Sequence, residues 1–313
     1  MQNIIIDKPY RFIPPYRSTF WARTLHPFVP FYVRRQYGIE SIEFRGLDVL
    51  QLSIANGCGV ALTPNHCRPC DALVMALLSG KLTRPFHYMA SWHLFMQGNF
   101  QAWLINRLGC FSVYREGMDR EALRAATEIL VEGRRPLVLF PEGVISRTND
   151  LLRPFMDGIS VITGAASKQR EQRSLRGPVV IHPVAIKYRL LTDVESSLGQ
   201  VLDEIEARFC WQRKALPLVE RIVKVGEALL ALKELEYLAK VQTGEIAERL
   251  QGLIDCLLGR LESKWLGGKR QPTFMGRIKA LRGIILKAML ANELSAEERE
   301  SCWRDFADIY LAV

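Results

Sequence analysis

The chain has 313 residues, 49% of them hydrophobic and 24% charged. This is an ordinary globular composition, long enough for one large domain or two smaller ones, and it excludes disordered and collagen-like classes. A net charge of +9 favours anionic partners: nucleic acid, an anionic membrane or a phosphorylated ligand. The charge is uneven. Residues 1–40 hold six Lys/Arg against two acids, and residues 264–292 hold seven and none. Seven scattered cysteines form no disulfide framework and suit a reducing compartment.

Met1 to Lys8 carries no basic region leading into a long apolar run, so no secretory leader is expected. The nearest approach to a membrane span is Pro85 to Asn106. It lacks Lys, Arg, Asp and Glu but holds two His, two Gln, two Asn and a Ser. Membrane contact is therefore expected at the surface.

Residues 8–37 interleave Tyr10, Phe12, Tyr16, Phe20, Trp21, Phe28, Phe31, Tyr32 and Tyr37 with Arg11, Arg17, Arg23, Arg34 and Arg35. Prolines at 14, 15, 27 and 30 cut the stretch into short pieces. This mixture suits a membrane interface, packing against the domain or, less well, single-stranded nucleic acid. Ile39 to Phe44 and Gly59 to Leu62 read as strands, with a helix carrying Asp48, Leu50, Leu52 and Ile54 between them. Ala72 to Leu78 reads as a helix, Phe86 to Ala90 as a strand and Leu94 to Leu108 as a helix. Gly109 then turns the chain into a strand ending at Arg115. A helix over 119–132 precedes the buried strand Pro136 to Phe140. Val179 to Ile186 reads as a further strand, and Pro183 within it implies an edge or a bulge. This alternation predicts an α/β fold with a largely parallel or mixed central sheet flanked by helices.

From about residue 195 the strands stop. Helical periodicity runs from Val219 to Leu261, with breaks at Thr243-Gly244 and at Gly267-Gly268 with Pro272. The stretch 274–290 has Phe274, Ile278, Leu281, Ile285 and Met289 on one face and basic residues elsewhere. Such a helix lies on an anionic membrane or packs its apolar face into a helical subdomain. Ser295 and Glu298 form a capping box opening a last helix. The chain thus divides into an amphipathic N-terminal segment (1–40), an α/β domain (41–195) and a helical C-terminal extension (196–313).

The stretch Asn65-His66-Cys67-Arg68-Pro69-Cys70-Asp71 joins a buried strand to a helix. Pro64 and Pro69 prevent a continuous helix, with Pro69 suiting the first helical turn, and Asp71 falls at or just inside the helix start. Ligands gather at such strand ends in α/β sheets. On this turn the Asp71 carboxylate reaches back to one nitrogen of His66, fixing the tautomer and leaving the other nitrogen as a general base. A chance pairing is the bland alternative. A second is redox chemistry of Cys67-x-x-Cys70, or a zinc site of His66, Cys67 and Cys70, which lacks a marked fourth ligand.

Four segments together decide between these readings. Asn65 to Asp71 has the form N-H-x-x-x-x-D, and Gly109 to Arg115 the form G-x-x-x-x-x-R. Phe140-Pro141-Glu142-Gly143-Val144-Ile145-Ser146 and Ile181-His182-Pro183-Val184-Ala185 follow in order. Residues 40–190 thereby resemble the glycerolipid acyltransferases of the 1-acylglycerol-3-phosphate acyltransferase type. The resemblance implies that His66, oriented by Asp71, deprotonates an acceptor hydroxyl as it attacks a thioester carbonyl, and that Arg115 pairs with an acceptor phosphate. It places Asn65, Glu142, Gly143 and Pro183 around the acceptor, and Arg147 is the candidate to replace the arginine missing from the third segment. It further implies acyl-CoA or acyl carrier protein as donor, a lysophospholipid-type acceptor, no cofactor and no metal. The protein would act at the cytoplasmic face of a membrane, as a peripheral or monotopic enzyme of phospholipid biosynthesis.

The sequence departs from the family pattern at Val144 and Ile145, where Thr and Arg are usual. Met156 and Asp157 stand where Lys is common, and Ser91 to Phe95 replaces a stretch that often carries lysines. These changes reduce cationic character near the acceptor and leave open, beside lysophosphatidic acid, a larger lysophospholipid or another hydroxyl- or amine-bearing lipid. A non-catalytic lipid- or membrane-binding protein on the same scaffold is the alternative. Nucleic acid is not expected, since no recognition motif accompanies the charge.

Overall fold

The computed structural model describes residues 7–211, 216–291 and 294–313. Residues 1–6, on which the expectation about a leader rests, lie outside the described residues. In chain order, α1 (Phe20–Leu25), α2 (Val29–Tyr37) and α3 (Leu47–Ala55) lead to β1 (Gly59–Pro64). There follow α4 (Asp71–Lys81), β2 (His87–Ser91), α5 (Asn99–Arg107), β3 (Cys110–Val113), α6 (Arg120–Glu132), β4 (Leu137–Val138), α7 (Gly158–Gln172) and β5 (Val179–Val184). The sheet order is β3-β2-β4-β1-β5, and every described pairing is parallel. Parallel neighbours need crossovers, which the intervening helices provide.

Because side chains alternate across a strand, β1 feeds two cores. Ala61 points to one, built with Ala126, Ile129 and Leu130 of α6 and Ile162 and Ala166 of α7. Val60 and Leu62 point to the other, with Leu50 of α3 and Met75 and Leu78 of α4. Gly59 begins β1 because the end of α6 lies against it: a Cβ there would sit 2.2 Å from the Leu130 carbonyl oxygen. β5 is a sheet edge, where Pro183 is tolerated for lack of a ladder N–H.

Several expectations change. Ile39–Phe44 is irregular chain, not a strand. Its partly buried residues, Ile39, Ile42 and Phe44, do not keep a strict two-residue period, and among the described residues it pairs with no strand. The helix expected over 94–108 is two pieces, a 3₁₀ turn at Trp92–Met96 and then α5, parted at Gly98 with φ 141°. β3 stops at Val113, so Arg115 lies in the bend beyond it. Pro69 precedes the helix, which opens at Asp71 after an N-cap at Cys70.

The N-terminal arm lies along β3. Ile13 N–H donates to Ser112 Oγ at 2.8 Å and Ser112 N–H to the Ile13 carbonyl at 3.0 Å. Arg17 pairs with Glu132 at 2.6 Å and Glu128 at 3.1 Å. This covers what would be an open sheet edge. Phe20, Phe28 and Phe31 nevertheless remain more than half exposed.

The chain separates into two compact units, Met1–Tyr188 and Arg189–Val313. The second contains α8 (Glu195–Arg208), α9 (Leu218–Leu238), α10 (Ile246–Leu266), α11 (Phe274–Leu290) and α12 (Ala296–Ala312). Gly267 ends α10 in the left-handed conformation, and the Ser295/Glu298 capping box opens α12. The apolar face of α11 is not a membrane face. Ile278, Leu281, Ile285, Leu286 and Met289 are buried, because α10 and α12 pack over them. Arg277 is buried too, its guanidinium held by Glu262 and Asp255. No helix among the described residues is long and apolar enough to cross a membrane.

Candidate active site

β1 ends at Pro64, and Asn65 extends its pairing with side-chain atoms. Its amide Nδ2 donates to the Ile186 carbonyl at 3.0 Å, and its Oδ1 accepts the Ile186 N–H at 2.6 Å. The Asn65 side chain is thus spent on the backbone that follows β5, and it fixes the point at which His66 leaves the sheet.

His66 Nδ1 lies 2.8 Å from Asp71 Oδ2. Asp71 is the first residue of α4 and is fully buried. The same oxygen accepts the Arg68 N–H at 2.9 Å, and Oδ1 accepts the Tyr188 hydroxyl at 2.5 Å. An ionised carboxylate only accepts hydrogen bonds, so Nδ1 carries the proton and Nε2 presents a lone pair. The His66 ring stacks on Phe140 with centroids 4.2 Å apart, and its side chain keeps 15% of its exposure. The imidazole is fixed on one side and accessible on the other.

Tyr188 joins this cluster through Asp71, although the motifs do not contain it. It lies two residues beyond Ile186, on the continuation of β5. Burial and the Asp71 carboxylate hold its hydroxyl pKa far above the usual range, so it remains a donor. Asn149 fixes its backbone from both sides, at 2.7 and 3.0 Å. A signal was present in the sequence: Tyr188 follows the last strand at the carboxyl end, where site residues collect.

Glu142 is buried, and its carboxylate joins two loops. Oε1 accepts the His66 N–H at 2.9 Å and Oε2 accepts the Arg153 N–H at 3.1 Å. Ser146 N–H adds a bond to the His66 carbonyl at 2.7 Å. Gly143 sits at φ 66°, and a Cβ there would meet Met156 Sδ at 2.4 Å. It lets the loop fold back so that Met156 N–H reaches the Pro141 carbonyl at 2.8 Å. That loop presents Leu151, Leu152, Phe155 and Met156 to solvent. Val144, where the family pattern has Thr, is buried.

Asn65, His66, Asp71, Glu142 and Gly143 therefore form one cluster. Arg147 is exposed in the same loop, at φ 59°. Pro183 is exposed on the sheet edge, in register with Thr63. Arg115 is half-buried beyond β3, three strand positions from β1. At a spacing of ~4.8 Å per strand, the two strand ends are about 14 Å apart before side-chain reach is subtracted.

Cys67 and Cys70 are both buried. Burial and the Asp71 and Glu142 carboxylates raise the Cys67 thiol to about 11, the reverse of what a reactive thiolate requires. Among the described residues, no group of three or more His, Cys, Asp or Glu is arranged to hold a metal ion.

Residues 41–187 match the family model described as Acyltransferase. No curated protein and no solved structure matches the chain. The matched span runs from just before α3 to the residue preceding Tyr188 and contains Asn65, His66, Asp71, Glu142 and Gly143, so over this span the chain is similar to the acyltransferase family.

Proposed function

We propose that this protein is an acyltransferase that moves a fatty acyl group from acyl-CoA or acyl carrier protein to the hydroxyl of a lysophospholipid-type acceptor, with His66 as general base. The observation that carries this reading is the His66–Asp71 contact of 2.8 Å, with Asp71 saturated by donors and Nε2 left for substrate. His66 Nε2 takes the acceptor's hydroxyl proton as that oxygen attacks the thioester carbonyl carbon. The tetrahedral intermediate collapses, the C–S bond breaks, and the new ester C–O bond remains. The leaving thiolate takes the proton back from the imidazolium, giving a free thiol. This sequence draws on no cofactor or metal.

Arg115 is assigned to the acceptor phosphate. Its distance from β1 suits an acceptor that spans the strands between them, with the reacting hydroxyl at one end and the phosphate at the other. Asn65 and Glu142 position His66 rather than touch substrate. The exposed loop Leu151–Met156 and the N-terminal aromatics support work on a lipid surface, at the cytoplasmic face of a membrane, as a peripheral or monotopic enzyme of phospholipid synthesis. Phe20, Trp21, Trp103 and Phe100 form a run of ring contacts at 5.4, 5.0 and 6.0 Å that joins α1 to α5. Phe20 and Phe100 in this run are more than half exposed.

The test follows thiol release from acyl-CoA, or from acylated carrier protein, with a panel of lysophospholipids. His66→Ala should lose roughly 10²–10⁴-fold in kcat, the range of general-base catalysis. Unchanged turnover in that variant would refute the mechanism. Wild-type protein that binds vesicles but releases no thiol with either donor would favour the non-catalytic alternative.

A further inference from the structure

A cleft of about 600 Å³ opens at the end of the sheet opposite His66. It is lined by the segments that precede β2 and β4, Arg84-Pro85 and Arg134-Arg135, together with the ends of α3 and α4 and with Arg17 and Arg23 around α1. Five arginines face it, and no acidic side chain is among its lining residues. All described strands are parallel, so strand N-termini collect here and C-termini collect at His66. The cleft is therefore separate from the catalytic cluster by the length of the sheet.

The five guanidinium groups are not equivalent. Arg135 is buried and donates to the carbonyls of Pro85, Phe86 and Tyr16. Arg17 is held by Glu128 and Glu132. These two are structural. Arg84 donates one bond to the Arg134 carbonyl. Arg23 and Arg134 are exposed, and among the described residues their side chains have no hydrogen bond or ion pair. The fold thus assembles several positive charges around a cavity and neutralises only part of them. Like charges brought together cost stability, and an anion entering the cleft relieves that cost.

We infer that this cleft is a binding site for a phosphate-bearing ligand, distinct from the acyl-transfer site. Its volume exceeds that of a bare phosphate and accommodates a diphosphate or a phosphorylated headgroup. Planar guanidinium groups match phosphate oxygens in pairs. Thr19 and Arg23 on the lip flank Phe20 and Trp21, so a phospholipid headgroup and a free phosphate compound share the required chemistry.

Inorganic pyrophosphate is the probe, titrated calorimetrically into the full chain at low ionic strength, where screening is weak. Arg134→Glu and Arg23→Ala should each weaken binding by about tenfold or more, roughly the loss of one charge-assisted contact. Lys168→Glu on α7 makes the same charge change away from the cleft and should leave binding intact. The two cleft variants lie on different segments, and their thermal melts establish that each is folded. Absence of wild-type binding, or equal loss in Lys168→Glu, would overturn the site. Sedimentation with phosphatidylcholine vesicles, with and without phosphatidylglycerol, identifies the source. Vesicle binding that needs phosphatidylglycerol and is lost in Arg134→Glu assigns the cleft to a lipid headgroup. Pyrophosphate binding with vesicle binding unchanged assigns it to a soluble phosphate compound. None of these readouts requires acyl transfer, so the site and the catalytic proposal fail independently.

Discussion

Asp71 accepts hydrogen bonds from His66, from the Arg68 N–H and from the Tyr188 hydroxyl while fully buried. A buried carboxylate without donors would be costly, and this one has three. The Tyr188 contribution can be isolated. Tyr188→Phe keeps the ring, and with it the Arg68 guanidinium stacked 4.7 Å from its centroid, but removes the donor. We expect kcat to fall by about tenfold with KM unchanged, the loss of one charge-assisted bond that orients the base. A rise in KM alone would make Tyr188 a substrate contact. Cys67 gives a second residue-scale prediction. With its thiol raised to about 11, it should stay unmodified when the native protein is treated with iodoacetamide near neutral pH, while exposed Cys210 reacts. Alkylation of Cys67 ahead of Cys210 would revive the redox reading.

The site depends on which elements flank β1. β4 on one side delivers Glu142, and β5 on the other delivers Ile186 and Tyr188. Each neighbour fixes a different part of the His66 turn: the Glu142 carboxylate holds its N–H, and the β5 continuation holds Asn65 and Asp71. Glu142→Gln should therefore act through the loops. It replaces one accepting oxygen with a donor that faces a backbone N–H. We expect about 1–3 kcal/mol of destabilisation in urea, the cost of a buried donor left unpaired, together with reduced kcat. Full stability in the variant would show that the two loops hold without this clasp. Gly143→Ala strains the same turn, since φ 66° disfavours a side chain and Met156 occupies the space.

For the molecule as a whole, pH dependence of stability has an identifiable source. His87, buried at the start of β2, has its pKa lowered from 6.5 to about 3 by desolvation and by the Arg135 charge. It is neutral in the native state but takes a proton in the unfolded state below 6.5. Its contribution is complete above the unfolded value and is lost as pH falls from 6.5 towards 3, by at most roughly 5 kcal/mol. Urea midpoints measured across that window should drop less for His87→Gln than for the wild type. Parallel curves would mean that other groups set the acid limb. The second unit draws on different interactions, with the apolar face of α11 enclosed and Arg277 held by Glu262 and Asp255.

Much of this was legible along the chain. Apolar runs, glycine breaks and the capping box located most helices and strands, because those signals are local. The His66–Asp71 pair was legible for the same reason: five residues on one strand-to-helix turn bring the groups together without help from elsewhere. Ile39–Phe44 shows the limit, since its apolar residues are a local signal but a strand needs a partner. The amphipathic pattern of α11 likewise could not say whether lipid or protein covers its face; packing by α10 and α12 decides that. The order β3-β2-β4-β1-β5 is not a local property either. It places Glu142 and Tyr188 on opposite sides of one histidine, sets Arg115 three strands away, and gathers Arg23, Arg84 and Arg134 at the far end of the sheet. The sequence alone determined the pairing of His66 with Asp71. Only the tertiary structure decided what holds that pair and where the unneutralised charge collects, because both depend on contacts between segments far apart in the chain.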